Sequence, residues 1–116
     1  MNEKEKIKRV LNVFHDYLQD SPVVEILFSE KKQCYYYMRH YSNDMDDLIR
    51  VEDAETLCDL LLREIDMDVY LELKLDQRTG QCDVTPEAKK VALERMQPYL
   101  KQLPEYADLI NEIYEN

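Results

Sequence analysis

Residues 23–41 read VVEILFSEKKQCYYYMRHY, and this composition predicts a β-hairpin. Two runs of β-branched and aromatic residues, 23–28 and 34–41, are typical of strands, and the polar residues 30–32 between them indicate a short loop. If Ser29 faces Gln33 across a three-residue loop, the remaining cross-strand pairs follow. This register predicts the pairs Phe28–Cys34, Ile26–Tyr36 and Val24–Met38.

The register decides which side chains share a face, because alternate residues of a strand point to opposite sides. In the predicted register one face is apolar and forms the core, with Val24, Ile26 and Phe28 beside Cys34, Tyr36 and Met38. The opposite face is aromatic but also charged, and it carries Val23, Glu25, Leu27, Tyr35, Tyr37, Arg39 and Tyr41.

This second face is the predicted partner-binding surface. Protein interfaces concentrate aromatic side chains and arginine. Tyrosine also favours strands for local reasons, so packing within the chain is the alternative explanation. The predicted partner-binding residues are Tyr35, Tyr37, Arg39, Tyr41 and Tyr70.

Elements on both sides of the hairpin follow from apolar periodicity and from start and stop signals. A helix is expected over residues 7–18, ending before Pro22. After the hairpin we expect a short third strand at 48–51, a helix that begins at the N-cap Asp53, and a strand over 67–75, where apolar and polar residues alternate. A turn at 76–80 and a strand at 81–84 follow.

Two prolines organise the C-terminal part of the predicted fold. Pro86 follows Thr85 and precedes Glu87, which indicates a helix start. We expect this helix to kink or break at Pro98 and a last helix to begin at Pro104. The resulting order, α-β-β-β-α-β-β-α-α, predicts one α+β domain over residues 1–116, with a mainly antiparallel sheet and helices on one face.

This order, together with the acidic composition, resembles the small acidic chaperones of bacterial type III secretion. The resemblance covers about residues 3–100 and implies a non-enzymatic, dimeric protein that binds other proteins. It rests on the level of the fold, which by itself carries little information about function.

The charge distribution constrains the partner. The net charge is −10, and residues 42–116 hold nineteen acidic and eight basic side chains. Nucleic-acid binding draws its affinity from Lys and Arg, so we expect no nucleic-acid partner. A basic protein is the better electrostatic fit, and a second copy of the chain is a further option.

Membrane and export signals are not found in the sequence. No apolar run approaches the roughly 20 residues of a membrane helix, and the start MNEKEKIKRV does not read as a signal peptide. The three cysteines, Cys34, Cys58 and Cys82, form no close pair. This odd number fits a reducing compartment, so we expect a cytoplasmic protein without membrane contact.

The sequence contains no motif for catalysis, a cofactor or a metal. One glycine in 116 residues is too few for a phosphate-binding loop. Asp44, Asp46 and Glu55 fit a calcium loop in spacing, but Leu48 and Ile49 occupy two of its essential positions. Cys34 and His40 are separated by roughly 20 Å along one strand, which excludes a dyad.

These observations predict a non-enzymatic cytoplasmic interaction domain, an adaptor or chaperone-like protein. One alternative is an acidic inhibitor that mimics nucleic acid toward a basic target, because residues 44–68 hold ten acids and two arginines. A small hydrolase is the other alternative. Ionic strength distinguishes the interaction domain from the acidic inhibitor, since binding by nucleic-acid mimicry weakens steeply as the salt concentration rises.

Overall fold

The computed structural model describes residues 2–40, 46–77 and 86–114, and it confirms the α+β class. The elements in chain order are α1 (Glu3–Val13), α2 (His15–Asp20), β1 (Val24–Ser29), β2 (Cys34–His40), β3 (Asp46–Val51), α3 (Ala54–Gln77), α4 (Pro86–Gln102), a 3-10 helix (Pro104–Tyr106) and α5 (Leu109–Tyr114). By contacts the chain divides into two compact units, Met1–Cys58 and Asp59–Asn116, with the boundary inside α3. A single domain stays a prediction.

The predicted first helix is present as two consecutive helices, α1 and α2. The side chain of Asn2 caps α1 by accepting a hydrogen bond from the Glu5 N–H at 2.9 Å. Val10 and Phe14 are fully buried, so the apolar stripe faces inward as expected. The helical path is interrupted at Phe14, and α2 ends at Asp20, immediately before Ser21 and Pro22.

The sheet is antiparallel with the order β1-β2-β3, but the predicted hairpin register is wrong by one residue. Ser29 pairs with Cys34, so the loop has four residues rather than three. Gln33 adopts a left-handed φ of 53°, and its side chain donates to the Glu30 carbonyl at 2.6 Å. The Ser29 hydroxyl accepts from the Lys32 N–H at 3.2 Å. The extra loop residue shifts every cross-strand pair.

The observed register reverses the predicted faces of β2, because a shift of one residue moves each side chain to the other side of the sheet. The residues on what we call the inner face are Val24, Ile26, Phe28, Tyr35, Tyr37, Arg39, Asp47, Ile49 and Val51. The outer face holds Glu25, Leu27, Ser29, Cys34, Tyr36, Met38, His40, Leu48 and Arg50. The inner face carries buried Val24, Tyr37 and Val51, and the ammonium group of Lys4 on α1 lies 5.4 Å from the centre of its Phe28 ring.

The helix predicted after the sheet begins as expected but does not end where expected. Asp53 caps α3 by accepting from the Thr56 N–H at 2.7 Å, and the Glu3 carboxylate accepts from the Ala54 N–H at 2.6 Å. The strand predicted over 67–75 is wrong, because α3 continues to Gln77. Residues 67–75 hold Leu, Glu, Lys and Met, which are good helix formers, and no Gly or Pro precedes them to end the helix.

The second unit is built from the rest of α3 with α4, the 3-10 helix and α5. The Arg95 guanidinium on α4 makes two hydrogen bonds with the Glu72 carboxylate on α3, at 2.7 and 3.1 Å. The Tyr114 hydroxyl on α5 donates to the Asp66 carboxylate at 2.6 Å. Burial and this carboxylate raise the pKa of Tyr114. These side-chain contacts connect α3 to both later helices.

Both proline predictions concern this unit. The helix starting at Pro86 is confirmed. Of the kink or break predicted at Pro98, the break is wrong, because α4 runs through Pro98 to Gln102. Pro104 begins a 3-10 turn that leads into α5. The strand predicted over 81–84, and residues 78–80 of the predicted turn, lie outside the described residues.

Candidate functional site

A cleft in the first unit is the candidate site. Its volume is about 630 Å³, which is within the usual range of ligand sites. The cleft lies where α1 and α2 run beside β1, and residues from β2 complete its wall. Its lining is Leu11, His15, Leu18, Gln19, Ser21, Pro22, Val24, Glu25, Ile26, Phe28, Tyr35 and His40.

The open edge of β1 faces away from β2 along this cleft. Among the described residues β1 pairs with β2 alone, which makes it an edge strand of the described sheet. The His40 N–H donates to the Val23 carbonyl at 2.7 Å. Since hydrogen-bonded and non-hydrogen-bonded pairs alternate in an antiparallel ladder, the N–H and C=O groups of Val24, Ile26 and Phe28 point outward from β2.

The outward backbone groups of β1 differ in whether they have a hydrogen-bond partner within the chain. The Ser21 hydroxyl accepts from the Val24 N–H at 3.2 Å, which closes the edge at the start of β1. Within the described part of the chain, no hydrogen bond occupies the outward N–H and C=O groups of Ile26 and Phe28. The cleft therefore offers hydrogen-bonding backbone beside an apolar surface.

The charges of the cleft are acidic and imidazole groups. Its described lining includes Glu25 and both histidines but no lysine or arginine. The His40 Nε2 atom lies 3.6 Å from Glu25 Oε1, and the His15 Nδ1 atom lies 3.3 Å from Asp16 Oδ1. Asp16 and Asp20 on α2 are exposed. The charges of the described lining thus favour a cationic or neutral ligand, and the nearby Lys4 ammonium lies 5.4 Å from the centre of the Phe28 ring.

The same side chains set limits on the chemistry of the cleft. Across the three described ranges, no three His, Cys, Asp or Glu side chains lie close enough together to hold a metal ion. Ser21 is the one serine among the described lining residues, and its hydroxyl oxygen already accepts from the N–H groups of Val23 and Val24, at 3.4 and 3.2 Å. A serine nucleophile has to be hydrogen-bonded to a base, whereas these two contacts of Ser21 are with backbone N–H groups.

The structure brings together three of the five predicted partner-binding residues. Tyr35, Tyr37 and Arg39 share the inner face, and Tyr35 also lines the cleft. Tyr37 is only 2% exposed, whereas Tyr35 and Arg39 are half-buried. Tyr70 is half-buried on α3 in the second unit, and Tyr41 lies outside the described residues. Partner binding by these residues stays a prediction.

Sequence reasoning missed the cleft and the apolar part of the outer face. It treated Ile26 and Phe28 as core residues, although both line the cleft together with His15. Leu27 and Leu48 on the outer face are 38% and 55% exposed. The loop of residues 30–33 held the missing information, because its length fixes the register and hence the faces.

Two further observations concern the cysteines and the search for membrane-spanning helices. Cys34 and Cys58 are buried and carry free thiols, and Cys82 lies outside the described residues. Among the described residues, no helix is both long enough and apolar enough to cross a membrane. Neither observation changes the position of the candidate site.

No protein-family model, curated protein or solved structure matches this chain. The element order that resembled the type III secretion chaperones is not the observed order, since residues 67–75 are helical. The features of this chain that indicate a function are therefore those of the cleft, namely its open strand edge, its apolar lining and its charge.

Proposed function

We propose that this protein is a non-enzymatic cytoplasmic interaction module that binds an extended segment of another protein in the cleft beside β1. The observation that carries the proposal is the open edge of β1, where the outward backbone groups of Ile26 and Phe28 border an apolar cleft. A segment that pairs with this edge becomes a fourth strand of the sheet.

Strand addition suits this geometry for two reasons. Backbone hydrogen bonds to the edge supply affinity without depending on the sequence of the ligand. Alternate side chains of an added strand point to the same face, so one set meets the cleft, whose apolar contacts come from Leu11, Leu18, Ile26 and Phe28. The ligand is therefore expected to carry apolar residues at every second position.

The charge of the protein indicates which residues the ligand carries at the positions between its apolar ones. The net charge is −10, and Glu25, Asp16 and Asp20 lie at or near the cleft. Lysine or arginine at the remaining positions of the segment adds favourable electrostatics and raises the rate of association. The proposed ligand is an extended segment that alternates apolar and basic residues.

A peptide library tests this proposal directly. Octapeptides that alternate apolar residues with lysine or arginine are compared with matched peptides that carry glutamate instead. We expect the basic set to bind, with slower amide exchange at Ile26 and Phe28 in the complex. Equal binding of the acidic set, or protection at other strands only, contradicts the proposal.

A backbone variant separates strand pairing from general attraction. Ile26→Pro removes the outward N–H, and proline is tolerated at edge positions whose N–H faces away from the ladder. Loss of one hydrogen bond predicts about tenfold weaker binding. Ile26→Val keeps the N–H and is the matched control. Similar affinity of both variants means that the peptide does not pair with β1.

A small hydrolase is the second candidate, because both histidines and Glu25 line the same cleft. In this case His40, oriented by Glu25, acts as a general base. Turnover of a panel of chromogenic esters, abolished by His40→Ala, supports the hydrolase. Equal background rates for the wild type and the variant support the interaction module.

A further inference from the structure

The outer face of the sheet, which is separate from the open edge of β1, presents an exposed apolar stripe. Leu27 lies opposite Tyr36, and Met38 lies opposite Leu48. These four side chains form a diagonal from β1 across β2 to β3, which we call the apolar diagonal. Leu27 and Leu48 at its ends are 38% and 55% exposed, and Tyr36 and Met38 are half-buried.

Opposite charges flank the two sides of the apolar diagonal. Glu25 lies on β1 opposite Met38, and Arg50 lies on β3 opposite Tyr36. Both are exposed, and their contacts within the chain are to His40 at 3.6 Å and to Glu52 at 3.3 Å. Exposed ion pairs of this kind are worth at most about 1 kcal/mol, so both side chains can exchange partners.

We infer that the outer face binds a second copy of this chain, with a two-fold axis along the apolar diagonal. Rotation about this axis places Leu27 against Leu27 of the second copy and Leu48 against Leu48. It also exchanges the two flanks, so that Glu25 meets Arg50 of the second copy and Arg50 meets its Glu25. An isologous interface requires such a self-complementary arrangement.

The dimensions of a β-sheet are compatible with these contacts. With strands about 4.8 Å apart and about 3.4 Å per residue, the rotation brings Glu25 to within about 4 Å of Arg50 in the plane of the interface. Packed sheets lie about 10 Å apart, a gap that an extended arginine and glutamate span together. Two charge pairs thus form on opposite sides of one apolar contact.

The area of the face predicts a weak dimer. Three strands of about six residues cover roughly 300 to 500 Å² per copy, less than the roughly 800 Å² per partner of a standard interface. We therefore expect a dissociation constant on the order of 10 to 100 µM. Such a dimer forms only where the local concentration of the chain is high.

Sedimentation equilibrium between about 10 µM and about 1 mM tests the inference. The wild type is expected to shift from monomer to dimer, and Leu48→Lys is expected to stay monomeric. Urea unfolding verifies that each variant is folded. A wild type that remains monomeric over the whole range, or a dimer that is unaffected by Leu48→Lys, overturns the inference.

Charge exchange identifies the arrangement within the dimer. Glu25→Arg and Arg50→Glu alone are each expected to weaken dimerisation about tenfold, since each leaves two like-charged contacts. The double variant Glu25→Arg/Arg50→Glu is expected to recover the wild-type constant. Glu112→Arg, at an exposed position of α5, makes the same change in net charge as Glu25→Arg and is the control. Weakening by the control, or no recovery in the double variant, contradicts the two-fold arrangement.

Glu25 also lines the cleft, so the variant that separates the two proposals is Arg50→Glu. Arg50 does not line the cleft, so Arg50→Glu is expected to bind the basic octapeptides like the wild type while losing dimerisation. Loss of both properties in this variant contradicts the assignment of the two surfaces to different partners.

Discussion

The two faces of the sheet contain the same strands but different environments. On the inner face Val24, Tyr37 and Val51 are buried, whereas Cys34 is the one buried residue among the outer-face side chains that the structure describes. Two neighbouring tyrosines of β2 show the contrast, because Tyr37 is 2% exposed and Tyr36 is half-buried. The inner face supplies most of the buried residues of the described sheet, although its Phe28 and Ile49 are 38% and 41% exposed, and the outer face exposes Leu27 and Leu48.

This difference explains why aromatic content alone does not identify an interface. Tyr36 and Tyr37 are chemically the same, yet their position in the register puts Tyr37 on the inner face, where it is buried, and Tyr36 on the outer face. A soluble protein usually exposes few contiguous apolar residues. The exposed pair Leu27 and Leu48 is therefore a better indicator of a binding surface than the tyrosines are.

The largest expected effect compares two neighbouring tyrosines. Tyr37→Ser removes a buried ring, and large-to-small changes of buried aromatics cost about 3–5 kcal/mol of unfolding free energy. Tyr36→Ser on the outer face is expected to cost no more than about 1 kcal/mol. Urea unfolding at low protein concentration, where the chain is monomeric, measures both. The register predicted from the sequence, with Ile26 opposite Tyr36, implies the opposite order of costs. Equal or reversed costs would therefore support that register instead of the observed one.

A second comparison uses β3. Val51→Ala removes two buried methyl groups, which is worth about 2 kcal/mol. Leu48→Ala on the exposed outer face is expected to change stability by no more than about 0.5 kcal/mol. Thermal and urea unfolding give the two values. A larger cost for Leu48→Ala means that the outer face is covered within the chain.

The smallest effect concerns the charges of the outer face. Glu25→Gln removes the contact with His40, whose side chain is 41% exposed, and is expected to change the unfolding free energy by less than about 0.5 kcal/mol. The same substitution is expected to weaken dimerisation measurably. Destabilisation of the monomer by more than about 1 kcal/mol shows that the pair has a structural role.

The sequence predicts the elements of the first unit well, because each has a clear start or stop. Pro22 ends α2, Asp53 caps α3, and the polar residues 30–33 separate β1 from β2. The register was not predictable from these signals. Counting three loop residues instead of four is a small error, but it exchanges the faces of β2.

The sequence misleads over residues 67–75. Their alternation of apolar and polar residues is the pattern of a half-buried strand, yet they extend α3. A helix that is already formed gains one hydrogen bond per added residue without a new nucleation cost. The alternation has a visible consequence, because Met67 and Leu71 lie four residues apart and are each 44% exposed.

The candidate site depends on contacts that no local pattern contains. The cleft forms because α2 lies beside β1, and its open backbone groups depend on which pairs of the ladder are hydrogen-bonded. His15 and His40 are separated by 25 residues in sequence and line the same cleft. Composition did indicate the acidic character, which the proposed basic ligand uses.

The register of β1 and β2 is the central claim, because both the open strand edge and the apolar diagonal follow from it. Non-hydrogen-bonded pairs of an antiparallel ladder bring their Cα atoms to about 4.5 Å, which gives strong nuclear Overhauser effects between their α-protons. We predict such cross-peaks for Ile26–Tyr37, Phe28–Tyr35 and Val24–Arg39. A cross-peak between the α-protons of Ile26 and Tyr36 in their place would contradict the account, since it would put Tyr37 on the outer face.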